Sequence, residues 1–451
     1  MSCRLLLVIF LLCAGLLPKA RAQSRADDNV GETALRRGKG PRWLNRLLTG
    51  SAVLSPHHVG LSIIDVTTGE PVYELNGAEY FQPASTMKLF SLYAGLHLLG
   101  DSLPSLRYVV HSDSLIFWGT GDPTLLHGDV PSRRAFAFLQ SRPEKLFYTT
   151  IPSVEAFGPG WSWDDYNYYF QPERSPFPLY GNTVRFRAAP NQALRVAPRS
   201  FAALVEPAPP GTTSPDHVRR PLLENRFVVY PSARSWTDET PFRTDSELVV
   251  KLLQDTLRRP VLALPWRPWP QESIRTVQGV AVDSLYRRML QVSDNFLAEQ
   301  LLLLCSSRLG ADSLSTARVI RTMHRQFLAD LPDAPRWVDG SGLSRLNLAT
   351  PRDLTALLLK LHQQVPEPRL LSLLAAGGGH GSLRRGYHDA RGTWFWGKTG
   401  TLTNVHNLSG YLRTHKGRLL AVSFMNNNHV AETSAVRREM ERILAQVRER
   451  L

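Results

Sequence analysis

The chain has 451 residues, more than one ordinary hydrophobic core accommodates, so at least two folding units are expected. Hydrophobic residues make up 43% and charged residues 20%, which excludes a disordered or fibrous chain. The net charge of +14 draws the protein toward polyanions, but Lys and Arg are scattered and form no basic stripe interleaved with aromatics, which argues against a nucleic-acid role.

Residues 1–22 read as a secretory signal peptide. Arg4 gives a positive start, Leu5 to Leu17 form an apolar run too short to span a bilayer comfortably, and Ala20-Arg21-Ala22 offers a cleavage site before Gln23. A retained membrane anchor is the competing reading. Cleavage would remove Arg4, Lys19 and Arg21, taking the charge from +14 to +11. It would also remove Cys3 and Cys13, leaving Cys305 with no intrachain disulfide partner. Cys305 follows Leu301 to Leu304 in a helical pattern and is expected to be a buried structural thiol.

A short helical pattern follows near Trp43 to Leu48. Val59 to Asp65 reads as a strand, Thr67-Thr68-Gly69-Glu70 as a turn, and Pro71 to Leu75 as the returning strand. Beyond Pro83, Ser85 to Leu99 carries a helical apolar pattern. The next stretch, 107–270, changes character. Short β-like runs (Tyr108 to Val110, Leu115 to Trp118, Val184 to Arg187, Arg226 to Tyr230) alternate with Pro and Gly clusters such as Pro207 to Gly211. Helical patterns return at Val282 to Gln291, Asn295 to Leu309, 314–330, 352–364 and 432–450. Strands are expected at Thr393 to Trp396, Leu408 to Leu412 and Leu419 to Met425. Strands near both ends with helices between predict an α/β domain made of 23–106 and 271–451, interrupted by a β-rich insertion over 107–270.

Three short motifs occur in order: Ser85-Thr86-Met87-Lys88, Ser293-Asp294-Asn295 and Lys398-Thr399-Gly400. Each alone is a common accident: a capped helix start, an N-cap between helices, a strand end. Their order and placement make them specific. A serine hydroxyl needs a base, and residues i and i+3 share a helix face, so Lys88 can reach the Ser85 oxygen. Lys88 must be neutral to accept a proton, which burial or a nearby cation such as Lys398 would favour. The helix N-terminus at Ser85 favours developing negative charge.

Other chemistries fit less well. Gly392 to Thr399 matches the spacing GxxxxGK[ST] of a phosphate-binding loop. The intervening Thr393-Trp394-Phe395-Trp396 are strand formers, however, and no helix start follows. His57-His58 has no partner at metal-ligand spacing. Asp164-Asp165 and Asp339 could be imagined as paired carboxylates, but nothing in the sequence brings them together and exposure is the expectation for each.

The chain resembles the penicillin-binding protein 4 type of D-alanyl-D-alanine carboxypeptidase and endopeptidase from about Val59 to the C-terminus. Besides the three motifs, the resemblance rests on Pro83-Ala84, Gly119-Thr120-Gly121-Asp122-Pro123 and Gly160-Trp161-Ser162-Trp163-Asp164-Asp165. Further support comes from Asp339-Gly340-Ser341-Gly342-Leu343-Ser344-Arg345 and from Lys398-Thr399-Gly400-Thr401-Leu402 with Leu408-Ser409-Gly410-Tyr411. It implies a β-lactamase/transpeptidase-like catalytic domain with its extra domain between the first and second motifs, which 208 residues separate here. It implies that Ser85 forms an acyl-enzyme, Lys88 takes its proton, and Ser293 and Asn295 relay the proton and hold the substrate amide. Lys398, Thr399, Gly400 and Thr401 would bind the terminal carboxylate and the substrate backbone, and the N–H groups of Ser85 and Thr401 would form the oxyanion hole. The implied partners are peptidoglycan peptides and β-lactam antibiotics, with no metal or organic cofactor, in the periplasm. Peripheral association with wall or membrane through basic charge is compatible with this. Two departures stand out. The insertion is short for the family, and Gly381-Ser382-Leu383 stands where Gly-Thr-Leu is usual. A β-lactamase or esterase on the same domain, and a non-catalytic wall-binding homologue, are the alternative readings.

Overall fold

A six-stranded antiparallel sheet built from both ends of the chain organises the computed structural model. Its strands run in the order Ala375–Ala376, Phe395–Leu402, Val405–Arg413, Leu419–Asn427, His58–Asp65 and Pro71–Leu75. The structure describes residues 38–152, 155–310 and 312–451; the segment read as a signal peptide, with Cys3 and Cys13, lies outside them.

The sheet is covered on both faces, and the central strand shows why. Along Leu419–Asn427, Ala421 and Met425 point into the cluster formed with the helices Lys88–Leu98, Asn295–Leu309 and Pro351–Gln364. Leu420, Val422 and Phe424 point the other way, onto the helices Arg42–Thr49 and Thr433–Arg450. Every residue of that strand is buried, as expected for a strand sandwiched between layers. The helix Asn295–Leu309 is apolar nearly all round because it lies inside the molecule, with Leu301 to Cys305 fully buried. Burial pushes the Cys305 thiol pKa upward.

A second sheet takes its strands from between the first two motifs and their flanks. Its order is Val261–Leu264, Lys145–Thr149, Ser114–Gly119, Ser102–His111 and Arg275–Ala281. The first three are parallel and the remaining pairings antiparallel. One face carries the helices Arg134–Ser141 and Ser246–Leu257. The other sets Val109, Ile116 and Trp118 against Leu303, seating this sheet on the Asn295–Leu309 helix. Two three-stranded sheets lie within the same stretch, one of Val205–Pro207, Phe227–Val229 and Val218–Arg219, the other of Trp236–Pro241, Thr183–Ala188 and Arg195–Ala197.

The mixed α/β class agrees with the sequence reading, with one local difference. The strand expected at Thr393 to Trp396 runs instead over Phe395–Leu402, through the whole Lys398-Thr399-Gly400 motif, while Gly392–Thr393 pairs with His388–Asp389. Eight consecutive pairings with Val405–Arg413 outweigh the weak strand propensity of the two glycines. Among the described residues no helix is long and apolar enough to cross a membrane.

Candidate active site

Ser85 lies in a short 3-10 turn, Ala84–Met87, that leads directly into the helix Lys88–Leu98. Ala84 has φ +49°, a left-handed conformation costly for an L-residue, immediately before the serine. The turn brings Lys88 round beneath Ser85. Lys88 Nζ donates to Ser85 Oγ at 2.9 Å, to Asn295 Oδ1 at 2.6 Å and to the Ser341 carbonyl at 2.7 Å. Lys88 is fully buried, and desolvation lowers its pKa to about 8. The carboxylates of Asp339, Asp294 and Glu299 oppose that shift.

The second motif sits between two helices. The helix Val282–Gln291 ends, Ser293 takes φ +66°, and Asp294 caps the next helix by accepting from Leu297 N at 3.0 Å. This turn aims Asn295 at Lys88, with its Nδ2 donating to the Phe170 carbonyl at 3.0 Å.

The third motif runs alongside on the Phe395–Leu402 strand. Lys398 Nζ donates to Ser293 Oγ at 2.9 Å and to the Thr399 carbonyl at 2.6 Å. Lys398 is also fully buried, and its pKa lies well below the usual lysine range, first through desolvation and then through the Lys88 charge. Thr399 Oγ1 donates to Ser382 Oγ at 2.9 Å, so serine in the Gly381-Ser382-Leu383 segment still presents a hydroxyl there. Thr401 Oγ1 pairs with His406 Nδ1 at 2.9 Å. Gly400 passes too close to the nucleophile turn for any side chain. Gly397 and Trp396 pair with Ala375–Ala376, whereas among the described residues no strand pairs with the outer edge of Lys398 to Leu402.

Ser85, Ser293, Asn295 and Thr401 line one cavity of about 970 Å³, together with Asp165, Phe170 and Arg345. All eight residues singled out from the sequence are thus gathered in one place. Lys88 and Lys398 stand behind its wall.

Two further acids belong to the site's framework. Asp339, expected to be exposed, is fully buried. Its carboxylate accepts from the backbone N–H groups of Gly342 (2.8 Å) and Ser344 (2.7 Å). It also accepts from Asn347 Nδ2 (2.8 Å) and from the indole of Trp161 (2.9 Å). It folds the Asp339–Arg345 loop that presents the Ser341 carbonyl to Lys88, and it is not paired with Asp164 or Asp165. Glu299 was not anticipated. It is buried one helical turn beyond Asn295, with Oε1 accepting from Ser341 N at 2.8 Å. Burial first, then Asp339, raises its pKa to about 7. A carboxylate inside the apolar run Phe296 to Leu304, four residues after Asn295, was the available signal.

The histidines are accounted for locally. His57 Nε2 meets Asn426 Oδ1 at 3.1 Å, and His58 stacks on Phe81 with centroids 3.9 Å apart.

Residues 44–447 match the D-Ala-D-Ala carboxypeptidase 3 (S13) family. The chain belongs to that family. This S13 protein is a serine-type peptidase by membership, and its phosphate-loop spacing is a strand. It is 22% identical over 419 residues to D-alanyl-D-alanine carboxypeptidase DacB of Haemophilus influenzae, covering 82% of this chain and 85% of the relative. A shorter stretch of 87 residues is 37% identical to a D-alanyl-D-alanine carboxypeptidase of Actinomadura, covering 17% of this chain and 16% of the relative. The fold is similar to that of penicillin binding protein 4 from Haemophilus influenzae, with TM-score 0.72, 18% identity, and coverage of 90% of this chain and 99% of that one. A predatory peptidoglycan endopeptidase from Bdellovibrio bacteriovorus has TM-score 0.51 at 13% identity, covering 86% of the S13 protein and 92% of the endopeptidase.

Proposed function

We propose that this S13 peptidase hydrolyses the D-alanyl-D-alanine bond, or a related D-centre peptide bond, of peptidoglycan stem peptides through an acyl-enzyme at Ser85. The observation that carries the reading is the 2.9 Å contact between Ser85 Oγ and the buried amine of Lys88, whose pKa near 8 leaves a useful neutral fraction at neutral pH. Neutral Lys88 takes the Ser85 proton as Oγ attacks the carbonyl carbon. The N–H groups of Ser85 and Thr401 meet the oxyanion. The C–N bond then breaks, and the leaving amine takes the proton back from Lys88 by way of the Ser293 hydroxyl. Lys88 next removes a proton from water, water attacks the ester, and Ser85 recovers its proton.

Thr399 and Thr401 hydroxyls suit a substrate carboxylate, with Lys398 adding positive charge from behind the strand. The edge of Lys398 to Leu402 suits an extended peptide that adds to the sheet. Asn295 holds Lys88 in place and borders the cavity where the substrate amide would lie. β-Lactams would acylate the same serine, and one Haemophilus influenzae penicillin binding protein 4 structure of this fold (TM-score 0.66) is a complex with a β-lactam. The N-terminal signal pattern supports export to the periplasm, where such substrates are found, and the basic charge supports contact with wall or membrane surface.

The test is intact-mass analysis after incubation with penicillin. A stoichiometric adduct that Ser85→Ala abolishes is expected, and its absence from the wild type would sink the acyl-enzyme reading. Slow loss of the adduct is expected, whereas rapid loss would mark a β-lactamase. Digestion of muropeptides then separates released D-alanine from opened cross-links.

A further inference from the structure

Arg174 and Glu299, both outside the motifs singled out above, connect the segment between the first two motifs to the base by way of Ser341. Arg174, from that segment, is 4% exposed. Its Nη1 lies 3.5 Å from Glu299 Oε2, a contact in which both side chains are buried. The rest of its guanidinium is fixed. Nε and Nη2 donate to the Glu155 carbonyl at 3.2 and 3.0 Å, Nη2 donates to the Phe157 carbonyl at 2.8 Å, and Cζ lies 5.5 Å from the centre of the Trp161 ring. Glu299 in turn accepts from Ser341 N, and the carbonyl of that same residue accepts from Lys88 Nζ. Glu299 and Asn295 leave one helix a turn apart and converge on Lys88, Asn295 directly and Glu299 through Ser341.

We propose that Arg174 is a positioning residue for acylation: it holds Glu299 as the buried carboxylate that fixes the Ser341 peptide against Lys88. The inference rests on the acyl-enzyme reading of Ser85. It gives the segment between the first two motifs a part in the electrostatics of the base, besides shaping the cavity wall.

The charges around the pair set the sign of the effect. Lys88 is faced by Asp294, Asp339 and Glu299, each of which favours its protonated form, and it also abuts Lys398. Glu299 is faced by Asp339, which disfavours its charge, and by Arg174 and Lys88, which favour it. A buried carboxylate stripped of its cation takes up a proton. Loss of Arg174 therefore shifts Glu299 further toward its neutral form, and neutral Glu299 no longer favours protonated Lys88. Glu299→Gln reaches the same end directly, and its amide oxygen still accepts from Ser341 N.

The experiment measures the rate of acylation by a fluorescent penicillin from about pH 6 to 10, for the wild type, Glu299→Gln, Arg174→Met and the double variant. The rate rises with pH as Lys88 loses its proton. The midpoint of that rise is expected to fall in both single variants by at least about half a pH unit, roughly threefold in the neutral fraction of Lys88 at low pH. In the double variant it falls no further than in Glu299→Gln, because Arg174 acts through Glu299. Slower acylation with an unmoved midpoint in Glu299→Gln would reduce the pair to a structural contact and overturn the proposal. So would midpoint shifts that add. Should Arg174→Met fail to fold, the midpoint of Glu299→Gln still decides. A wild type that forms no adduct at all would instead remove the function on which the pair depends.

Discussion

Gly400 rests directly on the backbone of the nucleophile turn. A β-carbon at Gly400 would lie 2.5 Å from the Pro83 carbonyl oxygen, 3.0 Å from Thr86 N and 3.1 Å from Ser85 N. All three are backbone atoms, which cannot swing aside as a flexible side chain would. Gly400→Ala must therefore push the Phe395–Leu402 strand away from Ser85. The expected result is a loss of about 10²-fold in acylation rate, the usual scale for an ångström of misplacement, in a protein that still folds. Stopped-flow acylation alongside circular dichroism checks it. A wild-type rate would mean that the strand position is irrelevant to the chemistry.

Lys88 is the amine that contacts Ser85 Oγ. Replacing it with Met keeps much of the volume and removes the base, so acylation is expected to slow by about 10² to 10⁴-fold. For the wild type the direction with pH follows from burial. The active form of Lys88 is the unprotonated one, so the acylation rate climbs as pH rises through about 8 and falls off below it. A rate independent of pH across that range would exclude Lys88 as the base.

Ser293 combines a strained backbone with a hydroxyl that accepts from Lys398 and lies on the proposed proton path. Its φ of +66° costs a non-glycine residue about 1 kcal/mol. Ser293→Gly relieves that strain and also removes the oxygen that accepts from Lys398. Melting temperature is expected to stay within about 2 °C of the wild type, because the lost Lys398 bond and the unfolded-state freedom of glycine offset the relieved strain, while acylation slows. Calorimetry and acylation kinetics on one preparation test both halves, and a variant no less active than the wild type would remove Ser293 from the proton path.

Cys305 should be inert while the protein is folded. It is buried on the Asn295–Leu309 helix, and burial pushes its thiol pKa up, away from the reactive thiolate. An alkylating reagent is expected to add no mass at Cys305 in native buffer and to modify it fully in denaturant. Peptide mapping distinguishes the two, and native labelling would show that the helix opens.

The sequence carried much of the site because catalysis requires fixed residue types at fixed spacing. Ser85 and Lys88 stand one helical turn apart, Asn295 follows a capping Asp294, and Lys398 to Thr401 fall between strand formers. What stayed hidden depends on pairing between distant segments. Glu299 looked like one charge in an apolar helix because its partner Arg174 is 125 residues away in the chain. Asp339 looked like an ordinary exposed acid because four donors from the backbone, Asn347 and Trp161 satisfy it only after the loop has closed. The Phe395–Leu402 strand looked shorter than it is because its glycines are held by the neighbouring strand and not by their own propensity.

The central sheet joins the two ends of the polypeptide: His58–Asp65 pairs residue for residue with Leu419–Asn427. Its completion waits for the last tenth of the chain, a long-range closure of the kind that folds slowly. A chain synthesised only as far as residue 418 holds Ser85, Lys88 and Gly400 but lacks Leu419–Asn427, the strand with which both Val405–Arg413 and His58–Asp65 pair. The sheet that positions the Ser85 turn is therefore complete only when the chain reaches Asn427, and a truncation before Leu419 is expected to lose penicillin labelling altogether rather than to loosen specificity.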